Sequence, residues 1–148
     1  MFWVIPVFSN ILVALDGSPA GQRAFDRAVE MATAGNARLH AVYIVETGLF
    51  SSIPTDNTVE ILYNVLQKEG EAVLDKAKTD AAARGITLTT HLKSGHAGSE
   101  VIALSEKIKS DLIVVGSHGK SQTDRLLIGS VSTFVVTHSK VSTLVVRS

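Results

Sequence analysis

Five short apolar or alternating runs, separated by segments of helical periodicity, dominate this sequence. The runs are rich in Val, Ile and Leu and suit strands of a buried sheet. The predicted strands are residues 10–16, 37–46, 86–95, 111–116 and 141–148, and the predicted helices are residues 19–34, 58–84, 99–110 and 130–138. This alternation is typical of a parallel sheet with right-handed crossovers and helices on both faces.

Several residues mark where the helices begin and end. Ser18 offers a side-chain oxygen for an N-cap, and Pro19 follows at the first helical position. Gly35 is the predicted C-terminal cap of this helix, and Ser99 is the predicted N-cap of the third helix. Gly70 interrupts the long second helix, at a cost of about 1 kcal/mol relative to Ala.

The composition favours a single folded domain over residues 1–148. The chain has 148 residues, 45 % of them hydrophobic, no cysteine and a formal net charge of zero. This excludes thiol chemistry and gives no broad basic footprint for nucleic acid or an anionic membrane. Residues 1–9 are apolar but lack a basic flank and are too short to span a bilayer, so we expect a leader or additional edge segment.

Distinctive residues follow the ends of the predicted strands. They are residues 16–18 after the first strand, 44–46 at the end of the second, 95–98 after the third and 116–119 after the fourth. In parallel α/β sheets, ligands bind beyond the carboxyl ends of the strands, so these segments predict the binding edge.

The fragment Gly119-Lys120-Ser121 resembles the end of a P-loop. A P-loop requires a glycine five residues before its second glycine, so that backbone N–H groups can wrap the phosphates. That position is Val114, and the fragment follows the fourth strand rather than the first. The sequence therefore argues against a P-loop.

A second glycine spacing covers the same region: Gly116-x2-Gly119-x9-Gly129-Ser130. Gly116 and Gly119 leave room for close approach of phosphates. Gly129 and Ser130 open a helix whose N–H groups and dipole favour an anion. The hydroxyls of Ser130 and Ser132 can donate to phosphate oxygens, and Ser130 with the phosphates can hold Mg²⁺ or Mn²⁺.

This spacing resembles the nucleotide-binding signature of the universal stress protein family, in its ATP-binding branch. The segments "ILVALDGSP", "DLIVVGSHG", "RLLIGSVS" and "STLVVR" are similar to family segments in the same order, so the resemblance covers roughly residues 10–147. It implies that Asp16 contacts the ribose and that the backbone around Ile44 meets adenine. It also implies a cytoplasmic stress-response protein with slow or no hydrolysis, acting as a homodimer.

We therefore expect a three-layer α/β/α sandwich around a five-stranded parallel sheet ordered 3-2-1-4-5, Rossmann-like and similar to the adenine nucleotide alpha-hydrolase fold. The predicted ligand is ATP, with no catalytic residue assigned and with the homodimer formed through residues 141–146. The predicted contact residues are Asp16, Gly17, Ser18, Ile44, Val45, Gly116, Ser117, His118, Gly119, Gly129, Ser130, Val131 and Ser132.

Plainer interpretations of these residues stay open. Asp16 fits a turn, Gly116 the end of a strand and Ser130 a helix cap. His118 is either a ligand contact or an exposed loop residue, and Asp124 with Arg125 is either a surface pair or a device that polarises water.

Two other classes of function compete with nucleotide sensing. The first is an ATPase or phosphotransferase assisted by Asp124 or His118. The second is an interaction module that uses no nucleotide.

Overall fold

The computed structural model describes residues 7–50, 57–117 and 129–147, without the side chains of residues 49 and 50. Five strands alternate with four helices in the described parts. They are β1 (Asn10–Leu15), α1 (Pro19–Gly35), β2 (Arg38–Glu46), α2 (Asn57–Ala83), β3 (Leu88–Gly95), α3 (Ala97–Ile108), β4 (Leu112–Gly116), α4 (Ser130–His138) and β5 (Ser142–Val146), with a short 3₁₀ turn over Thr47–Phe50. Predicted and observed bounds differ by at most two residues.

The sheet has the order β3-β2-β1-β4-β5, and all of its pairs are parallel. The predicted order is therefore confirmed. The order reverses direction beside β1, since β1 pairs with β2 on one side and with β4 on the other. The switch point predicted to hold the ligand therefore lies between the carboxyl ends of β1 and β4.

Two apolar layers hold the helices on opposite faces of the sheet. Phe25 of α1 and Leu74 of α2 belong to one buried cluster. Val101 of α3 and Val135 of α4 belong to the other. The molecule is therefore the predicted three-layer sandwich, because successive residues of each central strand contribute to alternate layers.

Helix α1 begins as predicted and ends one residue later than predicted. Ser18 is its N-cap, and its side chain accepts the Gly21 N–H at 3.0 Å. The C-cap prediction at Gly35 is wrong. Asn36 takes the left-handed conformation, with φ 52°, and donates its N–H to Ala32 O. Asparagine tolerates this conformation better than other non-glycine residues, so it can replace glycine at a helix end.

Helix α3 begins two residues before its predicted start. His96, not Ser99, is the N-cap, and its Nδ1 accepts the Ser99 N–H at 3.2 Å. Serine is a common cap and histidine is not, so the sequence pattern favoured the wrong residue. The cap places Ala97 at the first position of α3, where it faces the predicted binding edge.

Gly70 lies in the middle of α2 because the helix packs closely on the sheet. A Cβ atom there would stand 2.6 Å from Tyr43 Cδ1 and 2.8 Å from Leu92 Cδ1. Glycine thus lets α2 approach β2 and β3 near the predicted adenine end of the site. This requirement outweighs the poor helix propensity of glycine.

No helix in the described ranges is long and apolar enough to cross a membrane. The predictions for residues 1–6 and for His118, Gly119, Asp124 and Arg125 fall outside the described residues.

Candidate functional site

A cavity of about 380 Å³ opens at the carboxyl edge of the sheet. It reaches from the start of α4 across the ends of β4 and β1 to the end of β2 and the start of α3. Its described lining residues are Ala14, Leu15, Asp16, Ser18, Gly21, Val42, Tyr43, Ile44, Val45, Glu46, Leu66, Ala97, Val101, Val115, Gly116, Gly129, Ser130, Val131 and Ser132.

The cavity gathers most of the described residues that the sequence pointed to. Asp16 and Ser18 reach it from the first turn, Ile44 and Val45 from β2, and Gly116 from β4. Residues 129–132 line it from α4. Gly17 and Ser117 are not among the lining residues. Gly17 forms the turn after β1, and Ser117 makes backbone hydrogen bonds to Val146 and Gly129.

Asp16 combines a turn role with a place in the cavity wall. Its Oδ1 accepts the Ser18 N–H at 2.9 Å, across Gly17, whose φ of 80° requires a residue tolerant of the left-handed region. Within the described chain Oδ2 receives no hydrogen bond, so it can accept one from a ligand. The Ser18 hydroxyl is buried and acts as the α1 cap.

Two glycines keep α1 close to this edge. A Cβ atom on Gly21 would lie 2.8 Å from Asp16 Oδ1, so glycine at this position leaves room for the carboxylate. The sequence pattern did not indicate this role of Gly21. A Cβ atom on Gly116 would lie 2.9 Å from the carbonyl carbon of Ala20. Gly116 therefore allows the close approach of helix α1, and its approach to phosphate stays a prediction.

The two separated halves of the glycine pattern meet in the structure. Ser117 N donates to Val146 O at 2.9 Å, and the Ser117 carbonyl accepts the Gly129 N–H. Ser132 Oγ lies 2.9 Å from Gly129 O and 3.3 Å from Ser117 O. The buried Ser132 hydroxyl donates to backbone carbonyls and so positions α4. Its contact with phosphate stays a prediction.

The N-terminus of α4 carries N–H groups available to a ligand. Gly129 is the N-cap and supplies no side-chain hydrogen bond. The first intrahelical bond runs from Thr133 N to Gly129 O at 2.9 Å, so the N–H groups of residues 130–132 precede the helical ladder. Such N–H groups and the positive end of the helix dipole attract anions. Ser130 is exposed beside them, where its hydroxyl can add a further donor.

The opposite end of the cavity is apolar except for one carboxylate. Val42 and Ile44 meet Val101 of α3 in one apolar layer. Glu46 ends β2, and its Oε2 accepts the Ala97 N–H at 2.8 Å. The sequence places Glu46 at the predicted binding edge but does not indicate its partner, which lies 51 residues further along the chain.

The charged side chains in the described wall of the cavity are the carboxylates of Asp16 and Glu46. Among the described residues no group of three or more His, Asp or Glu side chains could hold a metal ion. An exposed hydroxyl such as that of Ser130 fits Mg²⁺ only when phosphate oxygens supply further ligands.

Comparisons with known proteins agree with this geometry. Residues 8–147 match the model of the universal stress protein family. The chain belongs to this family. A universal stress protein of Methanocaldococcus jannaschii is 31 % identical over 141 residues, covering 95 % of this chain and 83 % of that protein.

Solved universal stress proteins share the fold. UspA from Lactobacillus plantarum superimposes with a TM-score of 0.86 at 27 % identity, covering 94 % of this chain and 97 % of that one. A universal stress protein in complex with cAMP has a TM-score of 0.68 at 29 % identity, covering 95 % and 97 %. The expected adenine nucleotide alpha-hydrolase-like fold is thereby confirmed.

Proposed function

We propose that this universal stress protein belongs to the ATP-binding branch and binds ATP at the carboxyl edge of its sheet. The proposal rests on one observation, the junction formed where the Gly129 N–H donates a hydrogen bond to the Ser117 carbonyl. This junction directs the N-terminus of α4 into one end of a cavity whose other end is apolar. An anion site and an apolar slot in one cavity suit a phosphorylated nucleoside.

The dimensions of the cavity suit a nucleotide laid across the strand ends. Neighbouring strands lie about 4.8 Å apart, so the ends of β4 and β2, with β1 between them, are separated by roughly 10 Å. This span accommodates a nucleoside with its first phosphate. The volume of about 380 Å³ falls within the range of ligand pockets, roughly 300–1,000 Å³.

Each part of the nucleotide has a chemical counterpart in this arrangement. The phosphates lie at Gly129, Ser130 and Val131, where N–H groups lead the helix. The ribose hydroxyls donate to Asp16, whose Oδ2 faces no protein donor in the described chain. Adenine lies between Ile44 and Val101, and meets the backbone of Ile44 and Val45. The cAMP complex of a relative supports an adenine nucleotide as the ligand class.

The role we propose is that of a cytoplasmic, nucleotide-dependent regulator of stress responses with slow or no hydrolysis. Mg²⁺ or Mn²⁺ joins through the phosphates, with Ser130 as the protein hydroxyl nearest to them. The metal would neutralise phosphate charge in a cavity whose described charged groups are both acidic.

The last strand supports a homodimer as the acting form. β5 pairs with β4 and forms an edge of the sheet. Four of its residues, Thr143–Val146, are only partly buried in the single chain. An unprotected apolar edge favours pairing with another strand, and pairing with a second copy gives a closed two-fold assembly.

The bound ligand of the purified protein tests this function directly. The protein is denatured by heat, and the released nucleotides are separated by anion exchange. We expect ATP in near-stoichiometric amount. ADP in its place would favour the ATPase alternative, and no released nucleotide together with no binding on titration would refute nucleotide binding.

A further inference from the structure

Glu46 is the one charged side chain of the described cavity wall near the end of β2. The same cavity wall includes the apolar residues Val42, Ile44, Ala97 and Val101, and Glu46 itself is partly exposed. A ligand that shields this carboxylate from water without donating a hydrogen bond to it is disfavoured. Its hydrogen bonds therefore decide what can bind beside it.

Two backbone N–H groups fix the orientation of this carboxylate. Oε2 accepts from Ala97 N at 2.8 Å, and Oε1 accepts from Gly48 N at 3.2 Å. Ala97 is the first residue of α3, so the positive end of the helix dipole also favours the negative charge. A carboxylate offers about four lone-pair sites, and these bonds use two of them. No other donor of the described chain reaches the remaining sites, so a ligand donor can use them.

We infer that Glu46 makes the site selective for purines that carry an exocyclic amino group. This inference rests on the proposed function and adds a residue that determines the choice of base. An amino group placed between Ile44 and Val101 can donate to the oriented carboxylate, and hydrogen bonds to a charged acceptor are roughly twice as strong as neutral ones. A base without that group covers part of the carboxylate from water and donates no hydrogen bond to it, which disfavours binding.

The matched ligands for the test are ATP and purine riboside triphosphate, which has a hydrogen in place of the 6-amino group. Their dissociation constants are measured by calorimetry with the wild-type chain. We expect ATP to bind at least about tenfold more tightly, the size of effect that follows from losing one hydrogen bond to a charged group.

Three variants separate the role of Glu46 from a general effect on folding. Glu46→Met removes the acceptor, so the ratio of the two dissociation constants should fall close to one. Glu46→Gln keeps the shape but not the charge, and should reduce the preference several-fold. Ala97→Pro removes the N–H that orients Oε2 at a helix position where proline is well tolerated, and should also reduce the preference.

Glu100→Gln is the control, since Glu100 lies in the first turn of the same helix and is absent from the described cavity wall. It should keep the wild-type preference. Equal affinity of wild-type protein for both nucleotides, or an unchanged preference in Glu46→Met and Glu46→Gln, would overturn the inference and leave the proposed function intact. Binding of neither nucleotide by the wild-type chain would overturn both.

Discussion

The hydroxyl oxygen of Ser132 lies 3.3 Å from the carbonyl oxygen of Ser117, which precedes it by 15 residues. The same hydroxyl lies 2.9 Å from Gly129 O. These contacts tie the end of β4 to the start of α4. They orient the N–H groups that we assign to the phosphates.

Ser132 and Ser130 should therefore respond differently to replacement by alanine. Ser132→Ala loses a buried hydrogen bond, and the free energy of unfolding should fall by about 1 kcal/mol. Ser130→Ala removes an exposed hydroxyl, so stability should change by less than about 0.5 kcal/mol while ATP affinity falls. Urea denaturation and calorimetric titration of both variants measure these effects. A stable Ser132→Ala variant would contradict the positioning role.

Gly70→Ala should destabilise the protein although alanine is the better helix former. The added Cβ atom would stand 2.6 Å from Tyr43 Cδ1, and overpacking of this kind costs about 1–3 kcal/mol. The gain in helix propensity is about 1 kcal/mol, so the net free energy of unfolding should fall. Ala72→Gly, at an exposed position in the interior of the same helix, measures the propensity effect alone. A stabilised Gly70→Ala variant would contradict the packing of α2 on Tyr43.

The histidines of β2 and β3 should make the fold sensitive to acid. His40 Nδ1 lies 3.0 Å from His91 Nε2. Burial lowers the pKa of His40, with a further effect from the charge of Arg38. Burial also lowers the pKa of His91, helped by His40, Lys93 and Lys107.

The direction of the acid effect follows from these lowered pKa values. Unfolded histidine titrates near pH 6.5, so the unfolded chain takes up protons first as the pH falls. The stabilisation is complete above about pH 6.5 and is lost as the pH falls through the lower pKa of the folded state. The melting temperature should fall less between pH 7.5 and pH 5.5 for the double variant His40→Gln/His91→Gln than for wild type. Equal losses in the two proteins would contradict the prediction.

The oligomeric state tests the role of the β5 edge. The chain has a mass of 15.7 kDa, and sedimentation equilibrium should give twice that value for the proposed homodimer. An edge of partly buried Thr, Leu and Val residues favours this pairing. A single species at the chain mass across micromolar concentrations would contradict it.

The sequence predicted those features that depend on local pattern. The bounds of α4 matched, because Gly129 and Ser130 mark its start plainly and β4 and β5 flank it. The cap of α3 was mispredicted, because an imidazole at His96 took the part usually played by serine or aspartate. Asn36 likewise replaced Gly35 at the end of α1.

Features that depend on contacts between distant residues could not be predicted from the pattern. The reasons for glycine at positions 70 and 116 are Tyr43 and Ala20, each on another element. The partner of Glu46 is Ala97, which lies at the start of α3, 51 residues further along the chain. The sequence likewise does not indicate that the Ser132 hydroxyl donates to backbone carbonyls.

The central claim is that the N-terminus of α4 binds the phosphates of ATP, and Gly129→Val tests it most directly. The backbone of Gly129, at φ −65° and ψ 162°, suits valine, so the fold and its circular dichroism should persist. Because Gly129 lines the cavity at the start of α4, we expect a branched side chain there to hinder the approach of phosphates to the N–H groups of the first turn. Ala103→Val, the same kind of change at an exposed site of α3, is the control.

Calorimetric titration with ATP compares the three proteins. We predict binding by wild type and Ala103→Val, and a loss of at least about 100-fold in affinity for Gly129→Val, the size expected when several charge-assisted hydrogen bonds are removed. Wild-type affinity in a folded Gly129→Val variant would contradict the assignment of the phosphate site.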